Sequence, residues 1–340
     1  MSKQTLWTPT RRELILMSGL GLAAGCSGGG SSPGPNPIPT PTPVPTPTPT
    51  PTPQANRTER FGYVERTSTG FRLASMKVDG TDHGPISMPE QPNIYEPTWS
   101  RNGARIAYTV QDFARNRYDI YVMNGDGSEH RHYAEGMSPA WNADGTLLAF
   151  LTMHQEVSGA AARTYMTVHA HNVVTNTQAL PYVNAPPMYL VGPWTSSQLL
   201  RPVWNGDSEV YASCTTKLGT TQINWCLARY YSNLMDTSHN SDTRSIVLHD
   251  IAPNDGMGIV SQSVPGESYT VSEVSWRNRG NLQALKGQST SGGGVFSPDG
   301  NRLWINLDNG RGSRFYDRNL NEVGAPGPLP NSAYISWFAE

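Results

Sequence analysis

The chain has 340 residues, a formal net charge of −2 and only 15% charged side chains, with the two signs scattered along its length. Nucleic-acid binding calls for a basic face, so that class is excluded, and no acidic tract suggests a cationic partner. Prolines crowd a single segment that ends at Pro53, and the rest of the chain is rich in regularly placed turn residues.

The amino terminus reads as an export signal. Lys3, Arg11 and Arg12 make a charged head, Leu14 to Ala24 is an apolar run of eleven residues, and LAAGC follows at Leu22 to Cys26. Eleven apolar residues are too few to span a bilayer, which points to a signal peptide over residues 1–25. The small residues before Cys26 resemble the lipobox of bacterial lipoproteins, although Ala23 stands where leucine is commoner. That resemblance implies cleavage before Cys26 and acylation of its thiol and new amine, with several acyl chains holding the protein to a membrane. An ordinary secretory leader with a chance cysteine is the alternative. TRRELIL resembles a twin-arginine export signal, with Sec export as the other route. Ser27 is neutral and no aspartate follows at once, which by the same resemblance implies the outer membrane of a two-membrane bacterium, facing the periplasm or the cell surface.

Residues 26–56 form a stalk. Alternating proline from Pro33 to Pro53 removes ladder donors and favours polyproline II, about 3.1 Å per residue, so these 21 residues reach up to roughly 65 Å. The role of such a segment is distance from a membrane.

From residue 57 to 340 one pattern recurs. PTWSRNGARIAYT at Pro97, PAWNADGTLLAFL at Pro139, PVWNGDSEVYAS at Pro202, IAPNDGMGIVSQ at Ile251 and GVFSPDGNRLWIN at Gly294 are each a strand, a tight turn and a strand. Their anchors are Trp99, Trp141, Trp204, Ile251 and Phe296, with a sixth at Trp337, giving spacings of 42, 63, 47, 45 and 41. In Ser297-Pro298-Asp299-Gly300 the proline pre-sets φ for a type I turn and the glycine takes the left-handed conformation. Small residues recur in the strands that follow, at Ala107, Ala149 and Ala212, and suit strands crowding toward an axis. Repeats of this length with enough β signal for four short strands predict propeller blades.

WSRNGARIAYTVQDFARNRYDIYVMNGDGSEHRHY resembles the WD40-like (PD40) repeat of the TolB-type propellers, whose order is W-S-P-D-G, I-A-F, D-I-Y-V-M, D-G-S. The resemblance covers roughly Arg57 to Glu340 and implies an all-β, six-bladed β-propeller. By itself it implies no reaction. The first unit, from RFGYVER, lacks the W-S-x-x-G strand, and the C-terminal Tyr334 to Phe338 is expected to complete it. TolB-type proteins carry an extra N-terminal domain where this chain has its stalk, which argues against a role in the Tol system.

Cys214 and Cys226 flank KLGTTQ symmetrically enough to face each other across a hairpin, and in an exported protein a disulfide is expected; two buried thiols are the alternative. No G-x-S-x-G elbow and no sialidase Asp-box occur. His169 with His171, and His130 with His132, each share a strand face, but two ligands make no metal site, and exposed strand histidines are expected. Asn124, Asp126 and Ser128 imitate a calcium loop, yet Glu129 occupies the place of its glycine, so a turn is expected. No metal or other cofactor is implied.

With strands lettered a to d in each blade, the a–b turns open on one face, and the b–c and d–a loops on the other. The 63-residue unit places its extra length in HQEVSGAAR (b–c) and PYVNAPPMYLVGPWTSSQ (d–a), and KLGTT adds to the same face. Met188, Tyr189 and Trp194 are the candidate anchors there, with packing of a long loop onto the rim as the alternative. Arg101, at an a–b turn of the opposite face, is expected to be neutral to binding. The function expected is a tethered, monomeric binding or scaffold module that holds an envelope protein, peptide or glycan. A hydrolase or lyase acting through the axial channel is the alternative, and a channel cluster of carboxylate, histidine and arginine would favour it.

Overall fold

The computed structural model describes residues 57–91, 93–158, 161–178, 188–189, 201–218, 222–231, 234–239, 245–254, 256–263, 270–275, 282–289, 293–307, 312–319, 321–325 and 335–340. The chain divides into two compact units, Met1–Pro53 and Gln54–Glu340, and all of the described residues lie in the second. Cys26, the signal peptide, the stalk and Trp194 therefore lie outside the described residues.

The described residues form six antiparallel sheets. The first contains β1 (Glu59–Arg66), β2 (Phe71–Lys77) and β3 (Gly84–Pro85). The second contains β4 (Tyr95–Trp99), β5 (Arg105–Asp112), β6 (Arg117–Asn124) and β7 (Arg131–Glu135). β8 (Met137–Trp141), β9 (Leu147–Ser158), β10 (Ala161–Asn172) and β11 (Thr177–Gln178) make the third, with β12 (Met188–Tyr189) paired onto β10. The fourth runs β13 (Pro202–Asn205), β14 (Glu209–Leu218), β15 (Gln222–Tyr231) and β16 (Leu234–His239). The fifth runs β17 (Ser245–Ile251), β18 (Met257–Ser263), β19 (Thr270–Ser275) and β20 (Leu282–Ser289). The sixth runs β21 (Gly294–Phe296), β22 (Arg302–Leu307), β23 (Gly312–Asp317) and β24 (Glu322–Gly324). The last strand, β25 (Ile335–Ala339), returns to the first sheet and pairs β1, with Phe61 opposite Trp337, as expected for the C-terminal strand. The innermost strands touch in a closed cycle, β4 to β8, β13, β17, β21, β25 and back to β4. This is a propeller arrangement.

The anchor residues bind sheet to sheet. Trp99, Trp141, Trp204 and Trp337 are all buried, and the Trp204 indole donates to the Ala140 carbonyl of the preceding sheet at 2.9 Å. The small residues expected to crowd an axis instead receive these rings. Trp141 packs in one cluster with Ala107 of the preceding sheet, and Trp204 in another with Ala149. At the equivalent place in the first sheet stands Gly62, where an added Cβ would lie 2.5 Å from the Trp99 ring.

The turns behave as their residue types dictate. Gly300 has φ +71° and donates to the Ser297 carbonyl at 2.8 Å, while Ser297 Oγ accepts from the Arg302 amide at 2.9 Å. Turns are also tied to one another. Asn102 donates to the Asp144 carbonyl at 2.9 Å, Asn142 to the Asp207 carboxylate at 2.8 Å, and Asn254 to the Asp299 carbonyl at 3.2 Å. Gly145, at φ +75°, fits closely against Ser100, where a Cβ would come within 2.9 Å of that side chain's own Cβ.

Gly62→Ala should destabilise the protein by about 1 to 3 kcal/mol through overpacking against Trp99. Gly84→Ala, at a position with nothing within 4 Å of the added carbon, should leave stability unchanged. Urea unfolding of the two variants beside the parent measures the difference.

Candidate functional site

The axis holds a cavity of about 100 Å³, lined by Thr98, Ala140, Val203, Asp250, Gly294 and Ser336, one from each innermost strand. That volume suits a few waters or a small ion, not a polymer. Arg101, from the turn after β4, reaches across to the fifth and sixth sheets. It pairs with Asp250 at 2.9 Å and donates to the carbonyls of Ile251 at 2.7 Å and Phe296 at 3.2 Å. Asp250 in turn accepts the amides of Ile251 at 2.9 Å and Phe296 at 2.8 Å. Both side chains are largely buried, at 17% and 14% exposure, so Arg101 is built into the ring rather than left free in its turn. The sequence carried a signal that went unread, since Arg101 stands where the repeat has proline.

His249 and Arg201 also line this cavity. Burial, aided by the charge of Arg201, pushes the His249 imidazole down to about 4, so it is neutral at physiological pH. Nearby in β4 and β8 sits another pair the sequence reading missed. Glu96 and Ser138 occupy matching bulges with φ of 50° and 54°, are fully buried, and are joined by a hydrogen bond from Ser138 Oγ of 2.7 Å. The second carboxylate oxygen of Glu96 has no partner. Glu96-Pro97 gives no periodic signal, so only the register shift between Tyr95 and Thr98 reveals it.

The opposite face differs from expectation in one respect. HQEVSGAAR was read as a b–c loop, but β9 and β10 pair without interruption from Leu147↔Asn172 out to Ser158↔Ala161. The insertion is a lengthened hairpin, because alternating residues such as Thr164 and Tyr165 continue the ladder. Likewise β14 and β15 pair out to Leu218↔Gln222. Met188 and Tyr189 form β12, opposite Met166 and Tyr165, and β12 also touches β14 of the next sheet. Both hairpins and β12 thus rise on the same face. The backbone of Cys214 stands directly opposite that of Cys226.

His130, His169 and His171 are more enclosed than the expected exposed strand positions, while His132 is exposed. His169 stacks on Phe150 at 5.3 Å and His130 on Tyr121 at 5.3 Å, and burial lowers the proton affinity of both. His132 contacts Asp119 at 3.0 Å, a carboxylate that also holds Arg117 at 3.1 Å. Among the described residues no three His, Cys, Asp or Glu side chains could hold a common metal ion. Asp126 accepts from the amide and hydroxyl of Ser128 at 2.9 and 2.6 Å, which makes the calcium-like stretch a turn.

Solved structures follow this geometry. The chain aligns with TolB from Acinetobacter baumannii at a TM-score of 0.56 and 15% identity, covering 82% of this chain and 66% of that one. The fold is a TolB-like β-propeller. The β-propeller domain of the Trilobed protease from Pyrococcus furiosus, with its open velcro topology, aligns at 0.52 and 11% identity, covering 79% and 81%. An oligogalacturonate lyase in complex with manganese aligns at 0.53 and 11% identity, covering 78% and 74%. Identities this low establish the fold alone. No protein-family model matches the sequence, and comparison with curated proteins returns no match.

Arg101→Met should leave Asp250 mostly buried without its cation and cost about 3 to 5 kcal/mol in urea unfolding. Combining it with Asp250→Leu should cost less than the sum of the two single changes, because the pair acts as a unit.

Proposed function

We propose that the protein is a membrane-tethered binding or scaffold module of the bacterial cell envelope, anchored through lipid on Cys26 and presenting a monomeric six-bladed propeller at the end of its stalk. The observation that carries this reading is the state of the axis. Arg101 and Asp250 satisfy each other and the surrounding backbone, and the remaining space is about 100 Å³. A catalytic group needs a free face toward a substrate, and these charges are spent on closing the ring. The alternative, a hydrolase or lyase working through a channel site, has carboxylate, arginine and histidine there, but in saturated or neutral form. Binding then belongs to the face on which the long hairpins and β12 rise, with Met188, Tyr189 and Trp194 as its anchors and an envelope protein, peptide or glycan as the partner. The Cys214–Cys226 disulfide staples one of those hairpins. Extracytoplasmic residence, in the outer membrane facing the periplasm or the surface, follows from the leader rather than from the propeller.

Mass spectrometry of the purified membrane protein checks the cysteines together. Cys26 should carry diacylglycerol at a new amino terminus, non-reduced peptides should join Cys214 to Cys226, and Cys26→Ala should abolish palmitate labelling and membrane fractionation. Two alkylatable thiols, or unchanged labelling, would refute the respective assignment.

The binding face is checked by crosslinking in intact envelopes. Tyr189→Ala and Trp194→Ala should reduce capture of the partner by about 30-fold, the loss expected when a buried anchor worth 2 kcal/mol is truncated, while the melting temperature stays nearly constant. Loss of stability with capture unchanged would make these aromatics rim packing and return attention to the channel.

A further inference from the structure

We propose that the axial cavity is a binding site for one small monovalent anion, a halide or a carboxylate no larger than acetate. The proposal goes beyond the binding-module reading and does not depend on it. Four indoles line the cavity, those of Trp99, Trp141, Trp204 and Trp337. Two of them have acceptors, since the Trp204 N–H reaches the Ala140 carbonyl at 2.9 Å and the Trp337 N–H reaches the Glu59 carboxylate at 3.2 Å. The N–H groups of Trp99 and Trp141 are buried and have no acceptor. A buried donor left unpaired costs the desolvation of that group, so an acceptor inside the cavity stabilises the ring. Trp204 shows where such a group is directed: its bond runs to the innermost strand of the preceding sheet, which is part of the cavity wall.

Charge decides what kind of acceptor fits. The charged side chains of the lining are Arg101, Arg201 and Asp250. Both oxygens of Asp250 are already engaged, one by Arg101 and the Ile251 amide and the other by the Phe296 amide. The lining therefore carries one positive charge in excess. Arg201 contributes through its charge rather than through a vacant N–H, and that charge is felt within the cavity, where burial and Arg201 together push the His249 imidazole down. A cation would meet two guanidiniums and no open carboxylate. Water offers an acceptor without charge, whereas an anion supplies both.

The place of these groups in the ring gives the anion its role. Asp250 gathers the Arg101 guanidinium and one amide each from the fifth and sixth sheets. The unmet donors belong to other sheets, Trp99 to the second and Trp141 to the third, with Thr98 adding a hydroxyl and Arg201 standing just before β13 of the fourth. An anion at the axis does for those three sheets what Asp250 does for the fifth and sixth. Volume sets the upper limit, because about 100 Å³ takes a halide, formate or acetate and excludes a sugar acid or a polymer. Ala143 and Gly206, small residues of two a–b turns, belong to the lining, so entry is from the turn face.

Thermal melting of the full-length protein at constant ionic strength tests this, with chloride, formate and acetate each exchanged against gluconate, a monovalent anion too large for the cavity. At least one of the three should raise the midpoint saturably, by about 3 to 6 °C once it exceeds its dissociation constant about 100-fold. Trp141→Phe keeps the ring and removes the N–H, and Arg201→Gln removes the charge. Each should weaken the anion about tenfold, whereas Arg131→Gln, on the outer strand β7, should not. Equal midpoints in all four salts, or an unchanged response in Trp141→Phe, overturns the proposal. A crystal structure of the parent with the stabilising anion, bromide standing in for chloride, should place it in the axial cavity. Binding confined to the outer surface overturns the proposal as well, and this measurement holds even where a substitution prevents folding. Envelope capture through Tyr189 and Trp194 is read on the other face, so the binding-module reading stands or falls separately.

Discussion

Three successive seams between sheets in this protein bring a large ring against a residue with almost no side chain. Trp99 over Gly62, Trp141 beside Ala107 and Trp204 beside Ala149 repeat the contact from the first sheet to the fourth. A twisted four-stranded sheet has two apolar faces and cannot bury either alone, so the inter-sheet seam, not the ladder within a sheet, decides whether the fold holds. The small residue is what allows close approach, and the indole supplies the area that repays it. Turn-to-turn hydrogen bonds such as Asn142 to Asp207 fix the angular step, since they bond one sheet's turn to its neighbour's at a set distance.

Arg101 adds a different kind of tie. Seams act between neighbours, whereas this side chain crosses to the fifth and sixth sheets and joins parts of the ring that share no seam with β4. A buried ion pair contributes little net stability against an apolar substitute, but it tolerates few alternative geometries, which makes it suited to fixing the diameter of the axis.

The parts of this architecture that depend on local chemistry were legible in the sequence. W-S-x-x-G and its relatives mark the turns because φ > 0 and a short side-chain acceptor are needed there, and Ser297 and Gly300 do what their types imply. The pairing of β25 with β1 was legible from what the first unit lacked. What escaped reading depends on where a residue lies across the ring. Arg101 looks like any turn arginine until the fifth sheet is in view, and Glu96 is hidden because a bulge breaks the alternation that would have flagged it. HQEVSGAAR read as a loop because its glycine and alanines weaken the β signal, although its partner strand holds the register through to Ser158. For the candidate face, the side was legible and the strand-built platform was not.

The pairing of Tyr63 with Ile335 has a consequence for the order of events at birth. β1 precedes every other described strand, yet its inner edge stays uncovered until β25, the strand most distant from it in sequence, is in place, so the ring closes through a contact of very long sequence separation. Until then a bare strand edge stays exposed, which makes this edge the place where aggregation, or a chaperone, would act first.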